Sequence, residues 1–510
     1  MRSLAAALVL AAICRPVWGA EAEPAPADGL GLVESVRMML ANDPNLAISE
    51  ARLRSSRGVL LASRGTFDSL FSTSLRQEET DNPLADGTSQ DVRVLGNTVG
   101  MARRFRSGFS LEPQLRLLRT EETGGDPAAN LGTFSLTLRQ PLLRGRGRTA
   151  TTAPERSAER QVAASALDLR QTTSERALAV VSQYWLTRAA VLDLEILRES
   201  EERARELLET TRKLIEADVT PAADLVQVEA NVVAKETSRI GGERELFESR
   251  QALGREIGLP REEIAALPLP TDPFPAVPAA AVPAVSEAGR FIAAALESRS
   301  DLQAARERLG AAEILVRAAD NGLKPQLDLV FTPSYSGLVS GTDTESFFSP
   351  LYRNVPGASS ALSFSLSWPT ANRQARGELA QIEAARAQNE YFEDLVSRQI
   401  EADVPSALDA VARSAQQLER AVVAVRLFER AVENEEKKLK AGTSTLLDAI
   451  SQRDRLTAAR QAQVSAHLNL ALALVRLRFE TGTLLPDGAD LGEVGLADLT
   501  SVPLVSGGAP

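Results

Sequence analysis

The 510-residue chain contains one cysteine, Cys14, and one histidine, His467. Disulfides need more than this inventory holds, and zinc sites, thiol chemistry and histidine-based triads are nearly excluded by it. The carboxylates are scattered without the spacing of a catalytic pair, so the chain reads as a non-enzyme with no cofactor and no metal. Aromatic residues make up only 4% of it, low for a compact globular enzyme. Lysine and arginine total 57 against 68 acidic residues, a net charge of −11, and no basic stripe dominates. Nucleic acid is therefore not expected as a partner. Past residue 22 there is no apolar run long enough for a transmembrane helix.

What is present begins with an export signal. Arg2 precedes the apolar run Leu4–Ile13, and Ala20-Glu21-Ala22 offers a small-x-small cleavage site. Residues 1–22 thus read as a signal peptide. The bulky Ile13 before Cys14 disfavours lipidation.

The remainder states one plan twice. Residues 218–258 align without a gap on 442–482: Asp224 falls on Asp448, Leu246 on Leu470, Glu256 on Glu480 and Gly258 on Gly482. Upstream, Leu46, Arg52 and Leu53 match Leu302, Arg308 and Leu309, and Arg139-Gln140-Pro141 answers Ser367-Trp368-Pro369. A period this long marks a duplicated domain, not a solenoid. The first repeat spans 23–259 and the second 287–483. A proline- and alanine-rich linker, 260–286, joins them, and a tail, 484–510, follows.

Each repeat reads helix, strands, long helix, turn, helix. Residues 30–64 are two helical pieces broken at Asn42-Asp43-Pro44. Residues 67–143 switch to period two, with clear strands at both ends and two further candidates near 92–105 and 109–118. A long helical hairpin covers 150–257, turning at Ala217–Pro221. The second repeat predicts one helix over 287–321, strands within 326–368 and a hairpin over 371–480, turning at Gly442. A 70-residue helix is roughly 100 Å long, a strut rather than a globular helix.

The strand over 361–368 alternates cleanly: Leu362, Phe364, Leu366 and Trp368 against Ser363, Ser365 and Ser367. One apolar face and one hydroxyl face is the pattern of a membrane barrel, lipid outside and water inside. Two sure strands per repeat give four per chain. A membrane barrel needs about eight, and open edges cannot remain in lipid, so several protomers must complete it. The expected class is mainly α with a membrane β-barrel portion: an oligomeric barrel on a long α-helical tunnel.

This plan, with Gln140-Pro141-Leu142-Leu143 closing the first strand set and Gly442-Thr443-Ser444-Thr445-Leu446-Leu447-Asp448 at the second turn, resembles the TolC-like outer membrane efflux proteins. The resemblance implies a homotrimer with a twelve-stranded barrel in outer membrane lipid and a helical tunnel across the periplasm. It also implies a periplasmic adaptor and an inner-membrane transporter as partners, for efflux or type I secretion. By resemblance, Val219, Thr220, Gly442, Thr443, Ser444 and Thr445 form the adaptor-docking tips. Asp448, with Asp224 at the same place in the other repeat, would line a periplasmic gate. The chain departs from the family pattern at Ser451, where a second aspartate is expected, and at Ser444, where a basic residue is. The alternative reading is a periplasmic coiled-coil scaffold or adaptor without a pore. It accounts for the struts but not for serine-alternating strands in both repeats. Arg144, Arg146 and Arg148 read as a solvated connector, and His467 as a packed core residue.

Overall fold

The computed structural model describes residues 29–83, 87, 89–122, 127–216, 223–353, 357–441, 443–485 and 495–503. Helices α1 (Leu32–Asn42) and α2 (Pro44–Gly65) lead into strands β1 (Ser69–Pro83), β2 (Ser89–Arg104), β3 (Ser110–Glu122) and β4 (Ala129–Pro141). A short α3 (Arg148–Thr151) precedes the hairpin of α4 (Ala153–Glu216) and α5 (Ala223–Ile257), and α6 (Arg261–Ile264) follows it. The second repeat has α7 (Ala288–Ser298), α8 (Ser300–Gly322), β5 (Gln326–Ser340), α9 (Thr344–Phe348), β6 (Gly357–Ser367), α10 (Arg373–Lys440) and α11 (Leu446–Glu480). A last turn, α12 (Leu496–Thr500), lies in the tail.

The strands form one antiparallel meander in the order β1-β2-β3-β4-β5-β6. The sequence count of four strands is therefore too low. The stretch 92–118 supplies β2 and β3, which pair along their lengths with β1 and β4. The alternation of those residues predicts strands, but only pairing reveals which sheet they join.

The break between α1 and α2 comes from local chemistry. Asp43 has extended backbone and accepts a hydrogen bond from the Asn45 N–H at 2.7 Å, while Pro44 opens the next helix. The expected single helix over 287–321 is likewise broken, at Arg299, whose ψ of 121° is extended. Its guanidinium meets Glu480 at 2.5 Å and Asp301 at 2.6 Å, which holds the kink. Arg299 occupies the position in the second repeat that Asp43 occupies in the first.

At 64 and 68 residues, α4 and α10 are each about 100 Å long. Pro405 lies inside α10 and forfeits a backbone hydrogen bond, a cost of about 3 kcal/mol. Burial of Ile400, Val404, Leu408 and Val411, none of them exposed, offsets it. Apolar cores gather in a belt about midway along the struts. One joins α1, α4, α5 and the tail around Tyr184 and Trp185; the other joins α7, α10 and α11 around Phe291 and Leu474. The apolar stretch Ala279–Ser298 belongs to this belt; it is two 3-10 turns and the 11-residue α7, not one continuous helix.

Candidate functional site

Antiparallel partners share a face of the sheet, so the register sorts every strand residue. One row runs Ser72, Gly100, Gln114, Ser135, Ser334, Ser359 across all six strands, and Ser334 and Ser359 join hydroxyls at 2.7 Å. The next row on the opposite face runs Thr73, Val99, Leu115, Phe134, Tyr335, Ala358. Leu362, Phe364 and Leu366 stand on that second face, opposite Phe331, Leu329 and Leu327, and are about two-thirds exposed, as is Trp368 just past the strand. Ser363, Ser365 and Ser367 stand on the first face, opposite Val330, Asp328 and Gln326. Two chemically distinct faces thus extend over the entire sheet, including the added pair β2 and β3.

The sheet meets the helices at a junction that sequence reasoning did not find. The β2–β3 turn places Arg106 against Glu155 near the start of α4, at 2.8 and 2.9 Å, and over the ring of Phe67. Arg64 approaches the same carboxylate at 3.4 Å. The Arg106 hydrogen bonds hold the buried Glu155 carboxyl below the usual carboxylate range. Gly108 in this turn has φ +93°, and a Cβ there would lie 2.4 Å from the Gly145 carbonyl oxygen. Arg144 is bound to Gln326, and the Gly145 N–H donates to Asn321 at 2.8 Å, so that part of the arginine-glycine connector is pinned.

At the other end of the sheet a flap covers the apolar face. The turn after α9 packs on facing glycines, Gly132 and Gly337, where a Cβ on Gly337 would meet the Pro350 carbonyl oxygen at 2.1 Å. Arg119 reaches across from β3 to the carbonyls of Thr342 and Asp343 at 2.9 and 2.5 Å. Glycine inside both strands is the sequence signal for this close approach.

The turn between α10 and α11 lies at the far end of the struts. Thr445 caps α11. Its hydroxyl donates to the Asp448 carboxylate at 2.6 Å, its N–H donates there at 3.3 Å, and the Asp448 N–H donates back to its hydroxyl at 3.2 Å. This is a complete capping box, and the Thr445 hydrogen bonds hold the exposed Asp448 carboxyl below its ordinary range. The Ser444 hydroxyl is bound to Glu435, and the Thr443 N–H closes the turn on the Lys438 carbonyl at 3.0 Å. Val219, Thr220 and Gly442 lie outside the described residues, and Asp224 is the second residue of α5. A small core of Leu207, Val228 and Ile450, with an ion pair between Lys235 and Asp454 at 2.6 Å, ties the two hairpins together near their tips. His467 is far from these sites, stacked on Phe274, and burial pushes its imidazole pKa down.

Residues 97–259 and 291–483, well over half of the chain, match the sequence profile of the outer membrane efflux protein family. No curated protein sequence matches. The fold is shared with solved channels. The CmeC outer membrane channel of Campylobacter jejuni superposes with a TM-score of 0.65 over 93% of this chain and 90% of that chain, at 14% identity. The outer membrane protein VceC of Vibrio cholerae does so at 0.62 over 88% and 96%, with 17% identity. The open state of the Neisseria gonorrhoeae MtrE outer membrane channel gives 0.61 over 88% of each chain, with 16% identity. The chain belongs to the outer membrane efflux protein family: it is a transport channel of the Gram-negative outer membrane that extends into the periplasm, and not an enzyme.

Proposed function

We propose that three copies assemble into the exit duct of a tripartite export system, joined through a periplasmic adaptor to an inner-membrane transporter. One observation carries the reading. The sheet ends in two bare edges, β1 and β6, whose 15 and 11 residues are exposed throughout. Unpaired backbone amides in hydrocarbon cost several kcal/mol each, so these edges pair with neighbouring copies. The meander begins on an ascending strand and ends on a descending one, so β6 of one copy meets β1 of the next antiparallel.

The helices support the same assembly. Val226, Val233, Ile240 and Phe247 lie seven residues apart on α5 and are all more than half exposed. A strict seven-residue apolar stripe is a seam awaiting another helix. In this assembly Leu362, Phe364, Leu366 and Trp368 face lipid, and Ser363, Ser365 and Ser367 face the water-filled lumen. Thr443, Ser444 and Thr445, with Val219, Thr220 and Gly442 from the sequence around the two turns, present the adaptor-docking surface. Asp448 and Asp224 ring the periplasmic constriction. Native mass measurement of detergent-solubilised protein, with planar-bilayer conductance, tests the assembly: three chains forming one channel are expected, and a channel-forming monomer refutes it. Docking is tested separately by Ser444→Arg, which is expected to abolish export while leaving the trimer intact.

A further inference from the structure

We propose that the hairpin of β2 and β3 lies in the barrel wall, so that three copies close an eighteen-stranded barrel, half as wide again as the helical tunnel below it requires. The proposal rests on the trimeric assembly above. Three observations place the hairpin in the wall rather than outside it. Its strands pair continuously with β1 and β4, from Ser69 opposite Arg103 to Ala129 opposite Thr120. Both faces largely keep the chemistry of the sheet: Leu95, Val99, Leu111, Leu115 and Leu117 fall on the apolar side, with Asn97 an exception, and Gly96, Thr98, Gly100, Gln114 and Arg116 on the polar side, with Val94 and Leu118 exceptions. Its turn is fastened at the tunnel end by Arg106 on Glu155, so the strands run the full height. At 16 and 13 residues, they exceed the 9–11 or so that a tilted membrane strand needs.

The consequence is a mismatch between barrel and tunnel. Only four of the six strands continue into helices at the junction: β1 from α2, β4 into α4 through α3, β5 from α8 and β6 into α10. The β2–β3 turn has no helix of its own. The wall therefore gains strands while the number of tunnel helices stays the same. With strands about 4.8 Å apart and tilted by about 40°, the backbone radius rises from about 12 Å for twelve strands to about 18 Å for eighteen. The lumen cross-section then roughly doubles. Its wall is lined by hydroxyls, glycine and a few charges, so the exit port is a wide aqueous vestibule. Selection by size then falls to the tunnel and its tips, and any hydrophilic solute that clears the tunnel leaves unhindered.

The test is a distance. Ser363→Cys on the polar face of β6, spin-labelled in the full-length protein in detergent, gives one label per chain on a triangle. Pulsed dipolar spectroscopy is expected to read about 31 Å for eighteen strands and about 21 Å for twelve, before the common inward offset of the labels. Native mass is measured on the same sample. Three chains with the longer distance support the wide barrel. Three chains with the shorter distance overturn it and leave the trimeric reading standing. Any other chain number overturns both. A variant lacking residues 84–127, in which β1 turns directly into β4, is expected to contract the distance by about 10 Å; an unchanged distance also overturns the proposal.

Discussion

The two repeats build the same kink in different ways. In the first, the carboxylate of Asp43 sits at the break and Arg176 on the long helix binds it, while also reaching Glu256 at 2.7 Å. In the second, the arginine has moved to the break. Arg299 there binds Glu480, the counterpart of Glu256, at 2.5 Å, and Asp301 at 2.6 Å. The long helices end at Glu216 and Lys440, so the offset of 224 runs along them and places the fully buried Ile400 at the position of Arg176. The glutamate on the return helix is kept, and its arginine is supplied by a different element. Duplication thus preserved the need for an arginine paired with two carboxylates at the belt, not the residues that make the knot. The sheet differs more: four strands against two. Strands added as a hairpin leave the direction of every later element unchanged, so the helical frame accepts them.

If the knots are interchangeable, one can be rebuilt as the other. Asp43→Arg alone sets two arginines together and strips a buried cluster of a carboxylate, which is expected to cost about 3–5 kcal/mol. Adding Arg176→Ile sets the new arginine against Glu256 as Arg299 is set against Glu480, with Asn45 standing where the second repeat has Asp301, and is expected to recover part of the loss. Chemical unfolding of the solubilised protein reads both. A double variant no better than the single one would show that the two knots are not equivalent.

The next comparison is between faces rather than repeats. Phe364→Arg on β6 and its first-repeat counterpart Leu136→Arg on β4 each place a guanidinium on the apolar face, at about 2–4 kcal/mol near the bilayer midplane. Leu115→Arg on the added β3 is expected to behave alike. Ser365→Arg and Thr137→Arg, on the polar face, are expected to assemble nearly normally. Heat-resistant oligomer on a gel is the readout. Equal loss on both faces removes the face assignment, and a harmless Leu115→Arg places the added hairpin outside the membrane.

Much of this was readable from residue patterns. The long helices, the duplication and the two faces of β6 follow from periods of 3.6 and 2, which local sequence carries. The status of residues 92–118 did not, because register is a property of partners and not of a strand alone. The break at Arg299 was missed because its cause is remote: Glu480 lies 181 residues away, and nothing near Arg299 resembles the Asp43-Pro44 signal. The Arg106–Glu155 anchor was hidden for the same reason.

A smaller effect separates the repeats by pH. In the first, burial, reinforced by Glu245, raises the Asp193 carboxyl to about 6, and its Oδ1 has no partner among the described residues. The same offset places Gln417 and Asn469 at the positions of Asp193 and Glu245 in the second repeat, where no acid pair exists. A folded pKa raised above the usual value near 4 means that the native state holds its proton longer than the unfolded chain. Stability contributed here is present at low pH and falls as pH rises from about 4 to about 6. Asp193→Asn is therefore expected to raise the melting temperature at pH 7.5 and leave it unchanged at pH 4. A gain of equal size at both pH values would show that charge is not the cause.

The finest distinction is between the two tip aspartates. Asp448 both caps a helix and stands where a gate is expected, so its substitution alone mixes two effects. Its folded pKa is lowered by Thr445, so its capping contribution is complete at neutral pH and fades as pH falls through that lowered value. Asp224 breaks the tie. The residue aligned with Thr445 is Pro221, which has neither the hydroxyl nor the N–H that a capping box needs. Asp224 therefore cannot close the same box, while three copies of it would add the same charge to a constriction. Asp224→Asn is expected to change ion selectivity in planar bilayers with no change in melting temperature. Asp448→Asn is expected to change selectivity in the same sense and also to lower the melting temperature slightly. If Asp448→Asn alters only stability and Asp224→Asn alters nothing, the aspartate at the second tip is a cap and the gate is built from other residues.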